Sequence, residues 1–218
     1  MNHFYQINGA KFSSGRTNAL WANDVLGNMP VDLVRFYLSL TRPEDGETAF
    51  SDEEFQEIVG REVRGAWGGW LSSLEQRVDA RCGGLAPFPQ GWTTTQRLFF
   101  TQLADWITLI EADLSWRSFS PRRAASAICE LVHGAIRFAA LMEADHHADT
   151  SVMTTAVAIE LAAAKALAGT VYPIMPEFGA RLWEALGFAG EPTWRELGTL
   201  LPGGQRVRGL GQALERPS

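Results

Sequence analysis

Lys11-Phe12-Ser13-Ser14-Gly15-Arg16-Thr17-Asn18-Ala19-Leu20-Trp21 comes after an extended run, Phe4-Tyr5-Gln6-Ile7, and an Asn8-Gly9 turn dipeptide. The stretch brings together Lys11 and Arg16, the hydroxyls of Ser13, Ser14 and Thr17, and Gly15. Backbone N–H groups and hydroxyls donate, glycine permits close approach, and the two cations neutralise charge, so the loop is suited to a polyphosphate. The same composition also describes an ordinary solvated turn, and the downstream sequence decides between the two.

Working outward, Asn23 to Gly27 reads as one helical turn, and Pro30 suits the first position of a helix whose mostly buried face is Val31, Leu33, Val34, Phe36, Tyr37, Leu38 and Leu40. Ser51-Asp52-Glu53-Glu54 reads as a capping box, with acids at the positive end of a helix running to about Val78. Gly65, Gly68 and Gly69 are costly inside a helix, about 1 kcal/mol each against alanine, and close helix contact is the expected reason. A proline-containing loop spans 83–92, and Thr93 to Trp116 forms the next helix. Ser120-Pro121 is a cap with proline at the first helical position, opening a helix to Ala144. Asp145-His146-His147-Ala148-Asp149 breaks it, Ser151 opens an alanine-rich helix to about Val171, and Phe178 to Leu186 is a last short helix.

The predicted fold is mainly all-α: an antiparallel helical bundle from residue 22 onward, preceded by a short strand and loop. Three segments are expected: 1–50 with the strand, loop and connecting helix, 51–190 with the bundle, and 191–218 as a loosely packed Gly/Pro-rich tail. The 218 residues carry a formal net charge of −6, which argues against nucleic-acid binding through a broad basic surface but leaves room for a local basic site. Cys82 and Cys129 lack metal-type spacing, which predicts a reducing, cytoplasmic setting. The apolar run 156–168 is interrupted by Glu160 and Lys165 and is too short for a bilayer, and no signal peptide is read, so no membrane association is expected.

The order of segments carries a resemblance. The Lys-Phe-Ser-Ser loop, Pro30-Val31-Asp32-Leu33-Val34-Arg35-Phe36-Tyr37-Leu38, Arg42-Pro43-Glu44, Ala49-Phe50-Ser51, and Tyr172-Pro173-Ile174-Met175-Pro176 together resemble methionyl-tRNA synthetase. In that family a lysine-methionine-serine-lysine-serine loop closes the catalytic domain, and a helical anticodon-binding domain comes next. The resemblance implies that Lys11, Ser13, Ser14, Gly15 and Arg16 hold the phosphates of ATP, with magnesium, while an amino-acid carboxylate attacks the α-phosphate. Lys11, Ser13 and Arg16 would then be catalytic, stabilising charge on the departing pyrophosphate. The family's second lysine falls on Ser14 and its final serine on Gly15, so Arg16 would supply the missing cation.

The family's anticodon-reading asparagine and arginine fall on Gly69 and Ser73, and its stacking tryptophan close to Leu141. Glycine offers no side-chain hydrogen bond, serine does not replace an arginine fork, and leucine stacks poorly on a base. This divergent pattern implies weakened or lost tRNA recognition. The ten residues before Lys11 hold no nucleotide-binding sheet, no histidine signature and no amino-acid pocket. The expectation is a chain that forms no aminoacyl adenylate alone and works with a separate catalytic-domain polypeptide; the resemblance also permits action without tRNA, as in paralogues that join amino acids in natural-product pathways. The alternative is a non-catalytic helical module that binds tRNA or a partner.

Two smaller groups have plainer readings. Asp145 to Asp149 is expected to be a polar interhelical loop rather than a metal site, and His133 to be packing within an apolar helix. Trp67, Trp70, Trp106, Trp116, Phe99 and Phe100 are expected in the core rather than stacked on bases.

Overall fold

The computed structural model describes residues 5–7, 10–11, 29–44, 46, 48–145 and 148–215. Strand β1 (Tyr5–Ile7) pairs antiparallel with β2 (Ala10–Lys11), Gln6 opposite Lys11 and Ile7 opposite Ala10. On its other side β1 runs parallel to β3 (Thr48–Phe50), giving the order β2-β1-β3. A parallel pair needs a crossover, and helix α1 (Val31–Leu40) lies in that connection. β3 is a correction to the expectation of helices alone beyond residue 22. The Asn8-Gly9 turn, the helical turn at 23–27 and the loop 12–21 lie outside the described residues.

One continuous helical rod comes next: α2 (Asp52–Ile58), a π-helical stretch (Val59–Trp67) and α3 (Gly68–Cys82). Its start is half of the expected capping box. Ser51 Oγ accepts from the Glu54 N–H at 3.3 Å, but the Glu54 carboxylate takes the Tyr37 hydroxyl at 2.6 Å, and that hydroxyl accepts the Ser51 N–H at 3.4 Å. Tyr37 is fully buried against Phe50 and Phe55, so α1 closes the cap of the next helix. Gly83, at φ 61°, ends α3 in the left-handed conformation that glycine adopts without penalty.

Gly65, Gly68 and Gly69 do not serve helix–helix contact. A Cβ on Gly65 would lie 3.1 Å from the Gly60 carbonyl of its own π turn, one on Gly68 would lie 3.4 Å from Leu214, and one on Gly69 would meet nothing within 4 Å. The close contact is elsewhere: a Cβ on Gly134 would sit 2.2 Å from the Trp106 ring. Gly69→Ala is therefore expected to stabilise the fold by up to about 1 kcal/mol. Gly134→Ala is expected to destabilise it by about 1–3 kcal/mol. Urea midpoints of the two variants check both signs.

Helices α4 (Thr94–Leu114), α5 (Pro121–Ala144), α6 (Thr150–Val171) and α7 (Pro176–Ala185) complete the bundle, each packed on the next, and α4 also reaches α6. Thr93 and Gln96 form a full capping box for α4, and Ser120 caps α5 by accepting from the Arg123 N–H. The cap of α6 is Asp149 rather than Ser151: its carboxylate accepts from the Val152 N–H at 2.8 Å, so the helix opens one residue before the expected start. Both α5 and α6 have the length and apolarity of a membrane span, longer than the 156–168 run indicates, but neighbouring protein buries 89% of the α6 window.

α1 is clamped to the far end of the bundle. Asp32 accepts the Phe178 N–H at the start of α7 at 2.7 Å, and Arg35 donates to the Ile174 and Pro173 carbonyls at 2.7 and 2.9 Å. Burial pushes the Asp32 carboxyl above its ordinary range, against the lowering effect of that N–H. Trp67 fills the space between, edge-on to Phe36 at 5.0 Å and tilted on Phe178 at 6.1 Å.

The described residues 191–215 are packed on the bundle, in contrast to the expected loose tail. Leu197, Leu201, Val207, Leu210 and Ala213 are buried. Glu75 on α3 accepts the Gly209 and Gly211 N–H groups, and Arg181 donates to the Ala213 carbonyl at 2.8 Å. Its apolar side chains follow no helical or strand period, so each finds its own gap in the bundle.

Candidate functional site

Of the predicted phosphate loop, Lys11 is described as backbone at the end of β2, while Ser13, Ser14, Gly15 and Arg16 lie outside the described residues.

Two of the three positions aligned with the family's base-reading residues share a cleft. Gly69 and Ser73, one turn apart on α3, line a cleft of about 440 Å³ between the rod and α5. Ala66, Ala139 and Ala140 supply small side chains to its walls, and Gly65 supplies bare backbone. Leu141 is 55% exposed and is not among the residues lining the cleft, so it does not join the other two.

The decisive residue in this cleft is one that sequence reasoning missed. Arg77, one turn beyond Ser73, donates from Nη1 to Ser73 Oγ at 2.7 Å and from Nε to Glu160 Oε1 at 3.2 Å. Its Nη2 donates to Glu160 Oε2 at 2.5 Å, and the Trp70 indole N–H reaches the same oxygen at 3.2 Å. The Arg77 and Glu160 side chains are 14% and 2% exposed, so the fork is spent inside the protein. Burial pushes the Glu160 carboxyl above its ordinary value, and Arg77 pulls it back. The available signal is Glu160 itself, a single acid in an alanine-rich helix that has to find a partner. At the mouth, Arg81 Nη2 holds both Glu143 oxygens at 3.0 and 3.1 Å. The cleft therefore offers small apolar walls and cations already paired.

His133 is not simple packing. Its Nε2 lies 2.9 Å from Glu62 Oε2, and Arg61 Nε donates to Glu62 Oε1 at 3.0 Å, tying the π-helical stretch to α5. In the 145–149 loop, His146 and His147 lie outside the described residues. Asp149 is held below the ordinary carboxylate range by the Ser151 hydroxyl and the Val152 N–H, as a helix cap. Among the described residues no group of three or more His, Cys, Asp or Glu is placed to hold a metal. Burial pushes the Cys129 thiol up to about 12, so it is no nucleophile near neutral pH. Of the aromatics expected in the core, Trp67, Trp70 and Phe99 are buried, Trp106 and Phe100 are partly buried, and Trp116 is 85% exposed.

Known proteins are similar to this chain in sequence and in fold. The family model "tRNA synthetases class I (M)" matches residues 1–74, from the strands through the rod to the Ser73 turn. A methionine–tRNA ligase of Chlorobium limicola is 28% identical over 194 residues, covering 87% of this chain and 27% of the ligase. That of Aeropyrum pernix is 28% identical over 214 residues, covering 94% and 36%. The chain is methionyl-tRNA synthetase-like. The crystal structure of Mycobacterium tuberculosis methionyl-tRNA synthetase bound by methionyl-adenylate superposes with a TM-score of 0.84 at 17% identity, over 93% of this chain and 41% of the other. At that identity the likeness is one of fold. The chain spans about a quarter to a third of the length of the curated relatives it matches.

Proposed function

We propose that this chain is the carboxyl-terminal portion of a methionyl-tRNA synthetase-like, ATP-dependent amino-acid-activating ligase, acting with a separate nucleotide-binding half. The observation that carries this reading is the family match over residues 1–74, which includes the whole phosphate-loop stretch. Lys11 and Arg16, with the Ser13 and Ser14 hydroxyls and the Gly15 backbone, would hold the polyphosphate of ATP. That donor set fits phosphate oxygens and contains no carboxylate, so magnesium would ride on the phosphates. As the amino-acid carboxylate forms its bond to the α-phosphorus, negative charge grows on the departing pyrophosphate, and the two cations stabilise it. Lys11→Ala and Arg16→Ala are each expected to slow ATP–pyrophosphate exchange by the assembled enzyme at least about tenfold. Unchanged rates for both would remove the loop from the mechanism.

The bundle would be of the anticodon-binding type in shape while not reading bases in the usual manner. What supports this is Arg77: the guanidinium on the wall beside Gly69 and Ser73 is committed to Glu160, and Leu141 stands outside the cleft. Amino-acid joining without tRNA is therefore favoured over a tRNA-binding module. A band shift with initiator and elongator methionine tRNA tests this at physiological salt. No complex at micromolar protein is expected, and a saturable shift would favour the tRNA-binding module.

A further inference from the structure

A second cavity, of about 690 Å³, opens at the other end of α5, where α1, the end of α4, the 173–174 turn and the short 3₁₀ turn Trp194–Glu196 meet. It shares no lining residue with the cleft at Gly69 and Ser73. One face of α1 and its closing turn presents Arg35, Leu38, Ser39 and Arg42 to it, the spacing of neighbours on a helix surface.

The two arginines are available in different ways. Arg35 is oriented by the Ile174 and Pro173 carbonyls, which occupy two of its five N–H donors and leave the rest of the fork. Arg42 is exposed, its guanidinium 5.3 Å from the Phe119 ring centroid, with no hydrogen bond or ion pair to any described residue. The one carboxylate among the lining residues is Glu111. Around these charges stand apolar surfaces: Phe119 is 57% exposed, Leu38 is 38% exposed, and Trp194 is partly buried where it lines the cavity. A guanidinium stacked on an exposed ring and lacking an acid is poised for an anion, and its apolar setting strengthens that attraction. The volume is that of a small-molecule site rather than of a macromolecular interface.

We propose that this cavity binds a small organic oxyanion, a carboxylate or phosphate monoester carried on a flat apolar body. Arg42 and the free edge of Arg35 take the oxyanion, while Phe119 and Trp194 cover the flat body. None of the described lining residues belongs to the 11–16 stretch, and the site does not depend on the ligase reading.

The probes are indole-3-acetate and adenosine 5′-monophosphate, monitored through the indole N–H signal of Trp194 in ¹⁵N-labelled protein, assigned with Trp194→Phe. At least one probe is expected to shift that signal saturably, with a dissociation constant of about 1 mM or below. Tighter binding by indole-3-acetate assigns a carboxylate, and tighter binding by the nucleotide a phosphate ester. Arg42→Gln, which removes no side-chain hydrogen bond to a described residue, is expected to weaken binding at least about tenfold. Inorganic phosphate and indole, tested separately, are expected to bind at least as much weaker. Lys11→Ala is expected to leave the Trp194 response to the nucleotide unchanged, separating this site from the phosphate loop. No saturable shift with either probe, an unchanged affinity in Arg42→Gln, or a response confined to other tryptophans would overturn the proposal.

Discussion

Glu160→Ala is expected to cost about 3–5 kcal/mol of stability in urea unfolding at pH 7. The carboxylate is almost wholly buried and takes three hydrogen bonds, two from Arg77 and one from the Trp70 indole. Truncation leaves a guanidinium that is only 14% exposed with Ser73 Oγ as its remaining partner, and an indole N–H without its acceptor. An uncompensated buried charge is what makes such truncations severe. Glu160→Gln keeps one acceptor and should cost less. The double variant Arg77→Met, Glu160→Met removes charge and counter-charge together and should recover most of the loss, because well-packed apolar replacement of a buried pair is often close to neutral. A loss below about 1 kcal/mol in Glu160→Ala would mean that Arg77 swings out to solvent and is free to meet a ligand, which would reopen the cleft to base reading.

The second large effect belongs to Lys165, buried on the same helix five positions further along. Its Nζ donates to Thr199 Oγ1 at 2.9 Å and lies 5.7 Å from the Phe188 ring centroid. Burial pushes its pKa down from 10.5 to about 8, with Glu196 opposing. Below about pH 8 folded and unfolded chains both carry the charge, and the fold bears the full cost of burying it. Between about 8 and 10.5 the folded protein sheds the proton first, so stability rises with pH, and above that range the cost is gone. Each pKa unit is worth about 1.4 kcal/mol, which makes the whole effect about 3 kcal/mol. Lys165→Met is therefore expected to stabilise the protein by about 2–3 kcal/mol at pH 7, a gain that fades as pH approaches 10.5. Parallel stability curves for the two proteins across that range would show that Lys165 is not buried as a charge.

Local chemistry is the legible part of the chain. Ser120 with Pro121 beside it marks the start of α5, because a cap and its proline act within one turn. The mainly helical fold follows from apolar residues at helical spacing. The Ser51 cap is legible only in part, since the group that takes Glu54 is Tyr37, seventeen positions before that glutamate and brought in by packing of α1. The Arg77–Glu160 pair joins residues 83 apart, and nothing local reports it beyond the oddness of an acid among alanines. The tail after residue 190 reads as loose for a related reason. Leu197, Leu201, Val207 and Leu210 are buried one by one without a period, while Glu75 supplies the backbone partners from another helix. Gly69 and Ser73 line one cleft because a single unbroken helix holds both one turn apart. Leu141 is aligned across gaps instead, and its side chain turns to solvent.

The central claim is that these residues complete an amino-acid-activating site when joined to a nucleotide-binding half. ATP–pyrophosphate exchange tests it most directly, run with each amino acid on this chain alone and on the chain co-expressed with a candidate half. Silence is expected from the chain alone, exchange with at least one amino acid from the pair, and dependence of that rate on Lys11 and Arg16. A folded pair that stays silent with every amino acid would contradict it.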